Sequence, residues 1–107
     1  MLKLREYYLM LALSDDARHG LAIARDVEHL SDGAIHLWPA TLYGTIDELV
    51  QRGWIQELAR HPADESEKKR FYALTRAGRT TLATETDRLA SLVRVARARL
   101  RRTGEAS

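Results

Sequence analysis

Apolar residues crowd the start of the chain, where Leu4, Tyr7, Tyr8, Leu9, Met10, Leu11 and Leu13 leave little room for a polar face. A helix apolar on nearly every side is one that several neighbours cover. Ser14, Asp15 and Asp16 interrupt it. Leu21, Ile23, Ala24, Val27 and Leu30 then recur at largely helical spacing and predict a second helix from about His19 to Leu30. Pro39 opens a third, its missing N–H suiting a first helical turn. Here Leu42, Ile46, Leu49 and Val50 fall at i, i+4, i+7 and i+8, forming the expected buried stripe. Ala40, Thr41, Tyr43, Gly44 and Asp47 are left facing outward near the helix start.

Beyond Gly53 the pattern changes. Trp54 to Arg60 is strand-like, His61 to Lys69 is polar and turn-prone, and Arg70 to Leu74 is strand-like again. Helix, strand, basic hairpin and strand in that order is the layout of a winged helix-turn-helix. The fold class expected is mainly α with a small β-hairpin. Thr75 can cap a last helix running from Arg76 to Arg101, in which Leu82, Thr86, Leu89, Val93, Ala96 and Leu100 advance by four and three alternately. Such a helix extends roughly 39 Å, longer than the preceding domain can cover. A second subunit is the expected partner, with a fold-back onto its own domain as the alternative. The division expected is therefore a DNA-binding unit over residues 1–75, a dimerisation helix over 76–102 and a flexible tail over 103–107.

Composition narrows this picture. A chain of 107 residues buries roughly 60–70% of its unfolded surface, enough for a modest core that oligomerisation would reinforce. The absence of cysteine excludes a disulfide framework or a thiolate zinc site. No apolar run approaches spanning length, so a soluble cytoplasmic protein with no membrane partner is expected. The net charge of +2 is unevenly spread: residues 1–53 hold five basic and eight acidic side chains, residues 54–107 twelve and seven. The basic excess begins at the expected wing, which suits either an anionic partner or a solvated helix.

In order along the chain, HGLAIARDVE from His19, PATLYGTIDELVQRGWI from Pro39, ADESEKKRFYALTRAGR from Ala63 and LASLVRVARARL from Leu89 resemble the PadR family of bacterial transcriptional regulators, in its short form with one C-terminal helix. The resemblance implies a homodimeric winged-helix protein that binds a double-stranded DNA operator, in this family usually as a repressor released by a small molecule; a small apolar effector is expected here, and no cofactor. It places Thr41, Leu42 and Tyr43 at the start of the recognition helix and Lys68, Lys69 and Arg70 in a basic wing. Thr41 can donate to a phosphate or base edge, and Tyr43 can lie along the sugar–phosphate backbone or simply join two helices. The wing cations suit phosphates, or stay solvated. His19 and Gly20 begin the second helix, whose free N–H groups can receive a phosphate; equally, His19 can cap and pack there. Dimer contacts fall to Leu82, Leu89, Val93, Ala96 and Leu100.

Two features depart from the family pattern. The outward face of the recognition helix has no Arg, Lys, Asn or Gln near its start, which removes bidentate purine reading and shifts sequence preference toward DNA shape and the wing. The C-terminal helix lacks an aromatic residue, and Trp38 and Trp54 both lie in the DNA-binding half, so an aromatic stacking pocket at the dimer centre is not expected. His19, His29, His36 and His61 form no metal-ligand motif and no serine sits in a catalytic signature, which sets enzymes aside. A winged-helix protein-interaction module without DNA binding is the alternative function, favoured by Asp47 and Glu48 on the helix.

Overall fold

The computed structural model describes residues 1–59 and 70–106, apart from the side chains of Thr103, Glu105 and Ala106. Its elements are α1 (Leu4–Ala12), β1 (Arg18–His19), α2 (Gly20–Leu30), α3 (Pro39–Gln51), β2 (Ile55–Leu58), β3 (Phe71–Leu74) and α4 (Arg76–Ala106). The fold is the expected winged helix with a long last helix. In one respect the sheet differs: among the described residues it has three antiparallel strands in the order β1-β3-β2, not a hairpin alone. Arg18 pairs with Tyr72 and His19 with Phe71, while β2 and β3 run from the Ile55–Leu74 pair to Leu58–Phe71. Two residues are too few to show a strand period. His19 consequently ends a strand and caps α2, which begins at Gly20.

Leu9, Met10, Ile23, Val27, Ile46, Leu49, Ile55, Tyr72 and Leu82 make the core. α1 is less enclosed than its composition predicts: Leu4 is 65% exposed, because a small domain has too few elements to surround a helix. Glu6 is buried behind it at 1% exposure, its Oε1 accepting the Lys3 N–H at 2.8 Å and its Oε2 lying 3.3 Å from Arg52 Nη1. Both oxygens are thus compensated, as a buried carboxylate requires. In α3 the buried positions are Leu42, Thr45, Ile46 and Leu49. Val50, expected in that stripe, is exposed, since at 100° per residue it falls about 90° from the stripe's centre.

Thr75 caps α4 as expected, its Oγ1 accepting the Gly78 N–H at 3.0 Å and donating to the Gly53 carbonyl at 2.6 Å. The Thr75 N–H meets the Trp54 carbonyl at 3.0 Å, and a β-carbon on Gly78 would fall on that same oxygen, so only glycine lets the first turn of α4 approach β2. α4 continues to Ala106, so the residues expected to form a frayed tail from Thr103 are helical up to that point. Leu82 is a correction. It is 6% exposed within its own domain's core and is not part of a free stripe, because the first turns of α4 pack back on the domain. Thr86 is likewise engaged, its Oγ1 2.7 Å from the Tyr7 hydroxyl and donating to the Leu82 carbonyl at 2.8 Å. From Ala90 onward nearly every described position is exposed, and the molecule extends 61 Å along its longest axis against 27 and 23 Å. Among the described residues no helix is long and apolar enough to cross a membrane.

Candidate nucleic-acid interface

With Leu42, Thr45, Ile46 and Leu49 turned inward, α3 presents Ala40, Thr41, Tyr43, Gly44 and Asp47 to solvent. Tyr43 is 45% exposed. Its ring lies over Gly20, where an added β-carbon would meet the Tyr43 hydroxyl oxygen at 2.5 Å and ring carbons at 2.9 Å. Tyr43 thus joins α3 to α2 and still shows about half its surface, so the two roles considered for it are compatible. Its hydroxyl makes no hydrogen bond among the described residues.

His19 takes the capping role. Its Nδ1 accepts the Ala22 N–H at 3.3 Å, and its ring stands edge-on to Phe71, with centroids 5.6 Å apart. This uses one of the free N–H groups of the α2 terminus, and Gly20 is buried beneath Tyr43. Both residues line a cleft of about 780 Å³ whose walls also include Leu21, Arg25, Tyr43, Asp47, Arg70 and Tyr72.

Arg70 precedes β3 and is exposed, its Nε 3.6 Å from Glu57 Oε1. Glu57 is the cross-strand partner of Tyr72. Burial raises the Tyr72 pKa above its ordinary 10.0, the Glu57 carboxylate adds to the rise, and the Arg70 guanidinium opposes it. Tyr72 is therefore a neutral phenol at the cleft floor, and the local charges belong to Glu57 and Arg70. Lys68 and Lys69 lie outside the described residues.

Arg25 belongs to no motif that marks it in the sequence. It follows Leu21 by one helical turn on the exposed side of α2, opposite Ile23 and Val27, and that i, i+4 relation is its only signal. Among the described residues it forms no hydrogen bond or ion pair, leaving its guanidinium available to an anion in the cleft. A second recess, about 260 Å³, lies between Met1, Leu2 and Trp54 on one side and Thr80, Thr81, Thr84 and Glu85 of α4 on the other. Trp54 thus reaches the base of α4, closer to the long helix than its place in the DNA-binding half implied. Farther along, Leu92, Val93, Val95 and Leu100 are all exposed, Leu100 at 72%, and Leu89 is half-buried.

A comparison with curated proteins gives no match. Solved structures agree on the architecture. A PadR family transcription regulator from hypervirulent Clostridium difficile R20291 is similar with a TM-score of 0.76 at 15% identity, covering 92% of this chain and 99% of that one. RosR of H. salinarum gives 0.67 at 26% identity, covering 84% and 76%. Bacillus subtilis PadR, solved in complex with operator DNA, gives 0.65 at 18% identity over 78% of this chain and 47% of that one, so this chain spans about half of its length. Residues 9–84, from the core of α1 through the wing to the buried base of α4, match the model of the transcriptional regulator PadR-like family. The chain belongs to that family of DNA-binding transcriptional regulators, and is not an enzyme.

Proposed function

We propose that the protein is a homodimeric repressor that grips operator DNA with the exposed start of α3 and the cations beside it, and lets go when a small apolar molecule binds. The observation that carries the DNA-facing part is the cleft in which the exposed Tyr43 of the outward recognition helix is joined by the side chains of Arg25 and Arg70. Thr41 donates to the DNA, the Tyr43 hydroxyl meets a phosphate, and Arg70 acts with Lys68 and Lys69. Two units joined through Leu89, Val93, Ala96 and Leu100 of α4 would address successive major grooves, which lie about 34 Å apart. Release then needs only a small pivot of α4 against its domain. The recess at Trp54 and Glu85 sits at that joint.

The test is recovery of duplex from a random pool followed by salt titration. Replacing Lys68, Lys69 and Arg70 with Ala should weaken all duplexes and lower the slope of log K against log salt by about 0.9 for each phosphate that is no longer neutralised. A triple variant with unchanged affinity and slope removes the wing from the reading. Wild-type protein that retains no duplex at low salt overturns DNA binding and returns the fold to the protein-platform use.

A further inference from the structure

The outward direction of α3 is set by its buried side. With Leu42, Thr45, Ile46 and Leu49 facing the core, the line farthest from it at 100° per residue runs through Ala40, Gly44, Asp47 and Gln51, and all four are exposed. Ala40 and Gly44 carry no reach. Asp47 is therefore the first side chain on that line with a polar end, two turns into a helix whose last residue is Gln51.

The Asp47 carboxylate is uncommitted. Among the described residues it forms no hydrogen bond and no ion pair, although Arg25 lines the same cleft. An unneutralised carboxylate on a DNA-facing helix is repelled by every phosphate, so it weakens binding to duplex in general and is compensated only where a base offers it a donor. Guanine presents two acceptors to the major groove, and adenine sets its N6 donor beside the N7 acceptor. Cytosine alone presents a donor, the N4 amino group, with no acceptor on the same base edge.

Resting on the DNA-binding reading above, we infer that Asp47 is a specificity-determining residue, accepting a hydrogen bond from the N4 amino group of one cytosine in each half-site. Arg25 and Arg70, lining the same cleft, take the flanking phosphates, and the bare positions Ala40 and Gly44 let the helix sink far enough for the carboxylate to reach the base. This supplies the base contact that the missing Arg, Lys, Asn and Gln deny to the helix start.

Selection from a random duplex pool by the wild type, Asp47→Ala and Asp47→Asn decides it. The wild type should select cytosine at one symmetry-related position per half-site, with discrimination of about 5- to 150-fold against other bases there. Asp47→Ala should lose the preference at that position alone while binding random duplex more tightly. Asp47→Asn, which adds a donor to the acceptor, should move the preference toward adenine. Because Asp47 is exposed and unpaired, thermal melts of all three should coincide, which separates loss of reading from loss of fold. Variants that select the wild-type sequence with the same discrimination at every position overturn the role of Asp47 and leave DNA binding intact. A wild type that recovers no duplex overturns both.

Discussion

The ring of Tyr43 lies across the first residue of α2 so closely that a β-carbon on Gly20 would come within 2.5 Å of the Tyr43 hydroxyl oxygen. Gly20→Ala must therefore displace the ring. Forcing in the extra carbon should cost about 1–2 kcal/mol, outweighing the small gain in helix propensity. In a Tyr43→Ala background the obstacle is gone and the same substitution should be neutral or slightly stabilising. Urea unfolding of the two single variants and the double variant measures the coupling directly, and additive effects would show that the ring is free to swing aside. Duplex affinity should fall in Gly20→Ala with an unchanged salt slope, since no cation has moved.

The winged helix was legible because its helices are long enough to show a period and its breaks fall at Gly53 and Pro39. The two-residue β1 was hidden for want of any period, and with it the reason that His19 caps rather than opens α2. The core stripe of α3 was legible at Leu42, Ile46 and Leu49, but its apolar pattern runs one place too far, to Val50. Candidate site residues on one helix, Thr41 and Tyr43, could be proposed from their place in a motif. Arg25 could not, because its relation to Tyr43 and Arg70 exists only once α2, α3 and β3 pack together. The same limit applies to Leu82: the α4 stripe is continuous in sequence, and only packing divides it into a buried base and a free remainder.

That division makes Leu82 and Leu100 opposites. Leu82→Ala empties a core position and should destabilise the domain by about 2–5 kcal/mol. Leu100→Glu touches a side chain that is mostly in water within one chain, and should leave the domain's fold intact while dissociating the proposed dimer. Light scattering with circular dichroism separates the two. A Leu100→Glu variant that stays dimeric, together with a Leu89→Glu variant that does so, would move the dimer interface away from this helix face.

Glu85 fastens the chain's first residues to α4. Its Oε1 accepts from Arg88 Nε at 2.5 Å and its Oε2 from the Leu2 N–H at 3.2 Å. The hydrogen bond from Arg88 lowers the Glu85 pKa below 4.5 and the Leu2 N–H helps, while burial pushes the other way. A carboxylate depressed in the folded state stabilises it above the unfolded value and ceases to do so as pH falls through the folded one. The melting temperature of the wild type should therefore exceed that of Glu85→Gln near neutral pH, and the gap should close as pH drops below about 4.5. A gap that stays constant down to about pH 3 would mean that the ionised form contributes nothing specific.

Gly44 has no structural reason to be glycine. It lies inside α3 at an ordinary helical position, and a β-carbon there would meet nothing within 4 Å. A glycine in an exposed helix interior costs about 0.8–1 kcal/mol relative to alanine. The fold alone would thus favour Gly44→Ala, and the substitution should raise stability by up to about that amount in thermal or urea unfolding. If the bare backbone is there to let the helix enter a groove, the same methyl should hold α3 away from the bases and weaken specific duplex binding, with less effect on non-specific binding held by phosphates. Stability and affinity should then move in opposite directions in one variant, a pattern that general damage to the fold cannot produce. Gly44→Ala protein that is more stable and binds its selected duplex as tightly as the wild type would show that α3 does not approach DNA along the Ala40–Gly44–Asp47 line.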